Sequence, residues 1–319
     1  MDPESQSTVM AVDIMKTSPL FLAALCCVAI LSPAALGREI SSQGGSTCPC
    51  HLEPAHDSYP GSGEGNLMWN CRDRLLPSVP TSCWAANANV TQVDLFNHHI
   101  TTLRAGDFDA LHNLRFLNVY KGWLSTVEAG SLRTLTTLEH LDLGFGFLTE
   151  VPEEISHMPQ LRVVALEYNQ IKEVPRELLL PLADNLEQLI FVRNEVEAVP
   201  ELDFLPHLTF LDLEANNIRS LPKRLLGALR GPCALWINDN PLSDVAAAML
   251  LPLPNGSEIR TNASIAVWAQ NDAEMSSMFD RDWRVYDKNQ QDLDLFVLTH
   301  TCDEAHDTPA DFIHPCEAE

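Results

Sequence analysis

The side chains with the most potential for chemistry in this chain recur at a fixed interval. One column reads Asp94, Asn118, Asp142, Ala165, Ile190, Asp212 and Trp236, and the next reads Phe96, Tyr120, Gly144, Glu167, Val192, Glu214 and Asn238. A third, two residues before the first, holds Gln92, Phe116, His140, Val163, Gln188, Phe210 and Ala234, while Lys121, Phe145, Tyr168 and Arg193 stand further out. Rings turned to water and bordered by polar groups are the composition of a binding hot spot. These columns therefore predict a ligand-binding surface made of Phe96, Phe116, Tyr120, Phe145, Tyr168, Phe210 and Trp236, with Asp94, Asn118, Asp142 and Asp212 among them. Signatures of turnover are missing: the sequence has no His-Glu-x-x-His, no Gly-x-Ser-x-Gly and no glycine-rich phosphate loop. No catalytic residue, resident metal or cofactor is expected. Near the end, His300-x-Cys302-x-x-x-His306 and His314-x-Cys316 offer zinc-ligand types, but in an oxidising compartment a Cys302–Cys316 disulfide is the expectation.

The columns exist because a frame repeats. Apolar-x-x-apolar-x-apolar-x-x-Asn-x-apolar begins at Val90, Leu114, Leu138, Leu161, Leu186, Leu208 and Pro232, with a period of 22 to 25 residues. Its clearest copies are Leu161-x-x-Val164-x-Leu166-x-x-Asn169-x-Ile171 and Leu208-x-x-Leu211-x-Leu213-x-x-Asn216-x-Ile218. A period and pattern of this kind mark a leucine-rich-repeat solenoid, an α/β horseshoe with one short parallel strand per repeat. The strand leucines point inward and the residues between them face the concave surface, because side chains alternate along a strand. Leu103-x-x-Gly106-x-Phe108-x-x-Leu111 reads as a return segment, and Val151-Pro152, Val174-Pro175, Val199-Pro200 and Leu221-Pro222 mark later exits from the sheet. Asn169, Asn194, Asn216 and Asn240 fill the asparagine column, whose amides satisfy backbone groups that the turn leaves unpaired. The first three repeats carry His98, Gly122 and Gly146 there, which predicts looser or shifted turns in that half.

Upstream of the repeats lies a cysteine cluster, Cys48-Pro-Cys50 and Cys71, followed by Val79-Pro80, Cys83 and Val93-x-Leu95. This run resembles the N-terminal cap of extracellular leucine-rich-repeat proteins, the family that includes Toll-like receptor ectodomains, Slit proteins, small leucine-rich proteoglycans and variable lymphocyte receptors. The resemblance covers about residues 48–242 and implies a non-catalytic binding protein. The family cap has no cysteine at the place of Cys83, and four cysteines allow three pairings, so the bridges stay open between Cys48, Cys50, Cys71 and Cys83. Cys233 sits near a core position and is expected as a buried free thiol. After Asn240-Pro241-Leu242 the family's Cys-x-Cys is missing. Residues 243–319, with 15 acids and 4 bases, read as a divergent acidic cap with a helix around Asp272–Tyr286 and an apolar patch at Leu293 to Leu298.

Lys16, the apolar run Pro19 to Leu31 and the small-x-small step Ala35-Leu36-Gly37 predict a signal peptide over 1–37, too short to span a bilayer. Residues 38–89 then form a disordered lead and the cysteine-rich cap, and 90–242 the seven repeats. Sequons at Asn89, Asn255 and Asn262 agree with secretion. A formal net charge of −24 opposes nucleic acid and anionic membrane, and favours basic partners or divalent cations. The sequence thus predicts a secreted module that binds an extracellular protein or glycan through its concave face. A structural matrix component resembling small proteoglycans is the alternative.

Overall fold

In the computed structural model, residues 48–222, 224–242, 244–246, 253–266 and 284–286 are described. The signal segment, the lead, Cys302, Cys316 and the Leu293–Leu298 patch lie outside them. The chain opens with a hairpin, β1 (His51–Pro54) antiparallel to β2 (Leu67–Asn70), and a short helix α1 (Thr81–Ala86). The three open pairings resolve to Cys48–Cys83 and Cys50–Cys71. Trp69 and Trp84 fill the space beneath the bridges, and their indole N–H groups donate to Asn87 O and Asp107 O.

From β2 onward the ladder is parallel. β3 (Gln92–Asp94), β5 (Phe116–Asn118), β7 (His140–Asp142), β8 (Val163–Ala165), β9 (Gln188–Ile190), β10 (Phe210–Asp212) and β11 (Ala234–Trp236) follow in register. Each starts two residues after a frame predicted from sequence. The central residue of every strand, from Val93 to Leu235, is at most 1% exposed. One such side chain contributes about 1.5–3 kcal/mol of transfer free energy, so the interior is a continuous stack of leucine layers. On the return side, β4 (Thr102–Leu103) and β6 (Thr126–Val127) pair, and Phe108 and Leu111 close the core.

The sheet does not end at Leu242. β13 (Glu258–Arg260) pairs parallel with β11, and β15 (Arg284–Tyr286) pairs parallel with β13. Beside them β12 (Asp244–Ala246) and β14 (Ser264–Ala266) form a separate parallel pair. The expected helix around Asp272–Tyr286 is therefore corrected at its end, where residues 284–286 are a strand. The frame was hidden by hydroxyls. Thr261 occupies a fully buried position that the two preceding repeats fill with Leu213 and Ile237, and its hydroxyl oxygen accepts the Ala263 N–H. Ser257, also fully buried, aligns with Thr209 and Cys233, donates to Pro254 O and accepts the Cys233 N–H.

The turns of the first three repeats are not looser. Asn97, Lys121, Phe145, Tyr168, Arg193, Ala215 and Asp239 all adopt a left-handed φ of 54 to 63°, so one turn geometry runs through the solenoid. His98 replaces the missing asparagine with its ring. Nδ1 accepts the Ile100 N–H, so Nε2 carries the proton and donates to Val119 O at 3.0 Å. Burial holds this histidine below its ordinary pKa, against two backbone hydrogen bonds, which keeps the ring neutral. The imidazole occupies the volume a side chain at Gly122 would need, so any Cβ there overlaps it. Gly122→Ala is expected to cost about 3 kcal/mol in urea unfolding, through overpacking and a displaced ring. His98→Asn in the same chain should recover most of that, and no recovery would sink this account.

Candidate ligand-binding face

The acid column is a structural device first. Asp94, Asn118, Asp142 and Asp212 each end a strand, and each Oδ1 accepts the backbone N–H two residues on, from Phe96, Tyr120, Gly144 and Glu214, at 2.7 to 2.9 Å. All four are at most 5% exposed. Asn118 shows that the oxygen matters rather than the charge. Among the described residues Asp94 is the one of these acids with a cation in contact, Arg72 at 2.8 Å, yet burial outweighs that attraction and raises its pKa. Burial, then the charge of Glu167, push Asp142 well above the carboxylate range. Asp212 is pushed up to about 8 by burial; the Glu214 N–H opposes this, the Glu214 charge adds to it and Arg260 opposes it. Glu167 keeps part of its surface in water, but burial lifts it to about 7, with its own N–H opposing and Asp212 adding.

Of the predicted rings, Phe96, Tyr120, Phe145 and Tyr168 form one continuous strip along the C-terminal ends of the strands. Phe96 stacks on Tyr120 with centroids 5.9 Å apart, Tyr120 meets Phe145 at 6.0 Å and Phe145 meets Tyr168 at 5.3 Å. Cations sit on the strip's ends, Arg72 over Phe96 at 4.1 Å and Arg193 over Tyr168 at 5.5 Å. Lys121 lies 5.5 Å from the Phe96 centroid. Such contacts contribute about 0.5–1 kcal/mol at exposed sites, enough to orient the rings. Gly144 makes room for the strip, because a Cβ there would sit 2.8 Å from the Glu167 carboxyl carbon and 2.9 Å from the Tyr120 ring.

Phe116 and Trp236 do not present open faces and Phe210 is half-buried, which corrects the expectation of one broad patch. Phe116 is 2% exposed because the cap loop folds over it, with Tyr59 stacked at 4.0 Å and His140 at 4.8 Å on its other side. That loop is tied down by Gln92, whose amide donates to His56, Tyr59 and Pro60 carbonyls and accepts the His56 N–H. Trp236 is 8% exposed, with Phe210 edge-on at 4.8 Å and the Arg260 guanidinium 4.0 Å over its ring.

Sequence reasoning missed Trp123 and Phe147, which are 56% and 51% exposed. With Phe145, Tyr168, Gln170 and Arg193 they line a cleft of about 410 Å³ over Gly122 and Gly146. The signal was there in Gly122-Trp123 and Gly146-Phe147, where glycine replaces the ladder asparagine and an aromatic follows. Trp123 is held by His99, stacked at 4.7 Å. Sequon residues Asn89, Asn255 and Asn262 are all exposed. The thiol of Cys233 is free and buried, and burial pushes its pKa up to about 12, which keeps it inert.

A parallel solenoid with buried leucine layers, an asparagine ladder and a disulfide-bonded hairpin cap defines the class: the chain is a leucine-rich-repeat protein with a cysteine-rich N-terminal cap. Its similarity in sequence is to Toll-like receptor 9, at 34% identity to the Ovis aries protein and 33% to the Bos taurus protein over 117 residues. That match takes in 33% of this chain, and the chain spans 10% of the length of those receptors. No family model matches. Among solved structures, human 5T4 (trophoblast glycoprotein) is similar in fold, with a TM-score of 0.54 at 23% identity over 78% of this chain and 95% of that one. The TLR13–ssRNA13 complex gives 0.52 at 18% identity, over 69% of this chain and 34% of that one. Among the described residues no helix is long and apolar enough to cross a membrane. The disulfides place this domain in an oxidising, extracellular or luminal setting.

Proposed function

We propose that this chain is a secreted recognition module that binds a protein or glycan, without turnover, on its concave sheet and the aromatic strip beside it. The observation that carries this reading is the backbone under the strip. Phe145 and Tyr168 hold left-handed φ angles of 57° and 54° and remain 45% and 38% exposed. Bulky residues adopt that conformation at a cost of order 1 kcal/mol each. The equivalent turns elsewhere hold Asn97 and Asp239, which tolerate it, the long polar Lys121 and Arg193, and the small Ala215, none of them aromatic. Neither the core nor the turn requires rings at these places, so a ligand is their best explanation. Wet, contiguous rings with polar neighbours match the centre of an interface. A net charge of −24 weighs against a polyanion as ligand, although the structural neighbour TLR13 was solved with RNA.

The test is a screen of the glycosylated protein against extracellular proteins, glycans and single-stranded nucleic acid, with the Phe145→Ala/Tyr168→Ala variant alongside. The variant should unfold at the same temperature within error and lose at least about 30-fold in affinity, since hot-spot rings contribute about 2 kcal/mol or more. Binding that survives the double substitution would remove the strip from the site.

A further inference from the structure

Resting on that reading, the floor of the concave face narrows the ligand class. Ala165, Ile190 and Asp212 are aligned across β8, β9 and β10, so two residues further on Glu167, Val192 and Glu214 form the next row. At about 4.8 Å per strand, Glu167 and Glu214 stand about 10 Å apart with Val192 between them. Asp142 and Asp212 stand in the preceding row, on either side of Ala165 and Ile190. This floor has more acceptors than donors. Glu167 Oε2 and Asn238 Oδ1 are closed off from solvent and accept no hydrogen bond. Asn238 is 3% exposed, and its side chain bonds Glu214, which aims it into the row. The titratable and charged groups that bear on the floor are Asp94, Asp142, Glu167, Asp212, Glu214 and Asp239, against Arg193 and Arg260, with Asp94 itself paired to Arg72. Both arginines rest on rings, Arg193 on Tyr168 and Arg260 on Trp236, and Arg260 is also engaged by Glu258 at 3.0 Å.

We infer that this floor takes the arginine side chains of an extended, basic segment of a protein partner, with the segment's apolar side chains lying on Val192 and the ring strip. A guanidinium supplies several N–H donors in one plane, which suits the carboxyl groups of Glu167 and Glu214, both half-exposed on the row. A metal ion is the poorer fit. It needs its oxygens gathered on one point at about 2.3–2.6 Å. Among the described residues the one group of metal-type ligand atoms lying so close together is Cys48, Cys50 and Cys83, where Cys48 and Cys83 are bridged to each other and Cys50 to Cys71. The acidic field of the whole chain, −24, also speeds encounter with a basic partner.

The test uses the full chain and a labelled peptide, Arg-Leu-Arg-Leu-Arg-Leu-Arg, beside its analogue with neutral citrulline at every arginine, at physiological salt. The arginine peptide should bind, and the citrulline peptide should bind at least tenfold more weakly. Glu167→Gln/Glu214→Gln should lose at least tenfold for the arginine peptide and unfold no lower than the parent. Glu173→Gln/Glu197→Gln, which neutralises two exposed glutamates and so changes the net charge by at least as much, should stay within twofold. Equal losses in the two variants would reduce the effect to bulk charge, and no binding of the arginine peptide would also overturn the inference. So would calcium binding, measured with the metal alone, that disappears in Glu167→Gln/Glu214→Gln. A ligand lost in Phe145→Ala/Tyr168→Ala but kept in Glu167→Gln/Glu214→Gln overturns this inference and leaves the proposed function standing.

Discussion

Asn194→Ala is expected to lower the unfolding free energy by about 3–5 kcal/mol, well beyond the effect of an ordinary surface polar substitution. The Asn194 side chain accepts the Ile171 N–H at 3.0 Å and donates to Leu166 O at 2.9 Å and Phe191 O at 3.1 Å. Two of those partners belong to the preceding repeat and one to its own, so the amide fastens one turn of the solenoid to the next. Removing it leaves buried backbone groups without partners, at about 1–3 kcal/mol each. Asn194→Asp should be no better, because it keeps the acceptor but turns an oxygen toward both carbonyls. Asn185→Ala is the control. Its amide also reaches the preceding repeat, at Pro159 O 2.9 Å away, but the residue is half-buried and the bond is open to water, so the loss should cost less than about 1 kcal/mol. Because repeats are stabilised mainly by their neighbours, the Asn194 variants should also unfold less cooperatively, with a lower urea m-value. Equal effects at Asn194 and Asn185 would show that the ladder is not what couples the repeats.

Raising the pH from 7 to 9 is expected to destabilise the protein, and Asp212→Asn is expected to remove much of that loss. In the unfolded chain an aspartate titrates near 3.9. In the folded protein burial raises Asp212 to about 8 and Glu167 to about 7, and it raises Asp142 in the same direction. Between the two values the folded state holds protons that the unfolded state has released. The associated stability is therefore complete below about pH 4 and is lost as the pH rises through 7 to 8. His140 acts in the opposite sense. Burial lowers it to about 4, so its contribution is present above its ordinary 6.5 and is lost as the pH falls toward 4, well away from the alkaline window. Asparagine at 212 keeps the oxygen that accepts the Glu214 N–H, the arrangement Asn118 already uses. The variant should gain roughly 2–4 kcal/mol at pH 9 and nothing at pH 4.5, read from urea midpoints at each pH. A variant less stable than the parent at pH 9 would mean that the Asp212 carboxylate is charged and stabilised in the fold.

How much of this was legible in the sequence depended on whether one residue type answered one requirement. Leucines at fixed spacing have one explanation, burial on alternate positions of a short strand, and the strands fall where the frames put them, from Gln92 to Trp236. The later ladder asparagines were legible for the same reason, since no other side chain offers an acceptor and two donors at that length. Beyond Leu242 the signal failed because Thr261 takes a column that holds leucine or isoleucine in the preceding repeats and satisfies its hydroxyl locally, on the Ala263 N–H, without breaking the ladder. His98 and Gly122 misled for a related reason: each looks like a defect alone, and together they form one filled site.

What the sequence determined by itself was the repeat, its strands, the inward face and the list of side chains able to turn outward. Which of those side chains meet water was decided by tertiary structure. Tyr59 reaches Phe116 from a loop more than fifty residues away in the chain, and Arg260 covers Trp236 from a strand the repeat pattern does not announce. Periodicity fixes the direction of a side chain from its local backbone. Exposure also depends on what distant segments lay over it, and that is settled by packing across the sheet. The same packing brings Glu167, Asp212 and Glu214 together without enough cations to neutralise them, which turns a row of acidic letters into the floor of a candidate site.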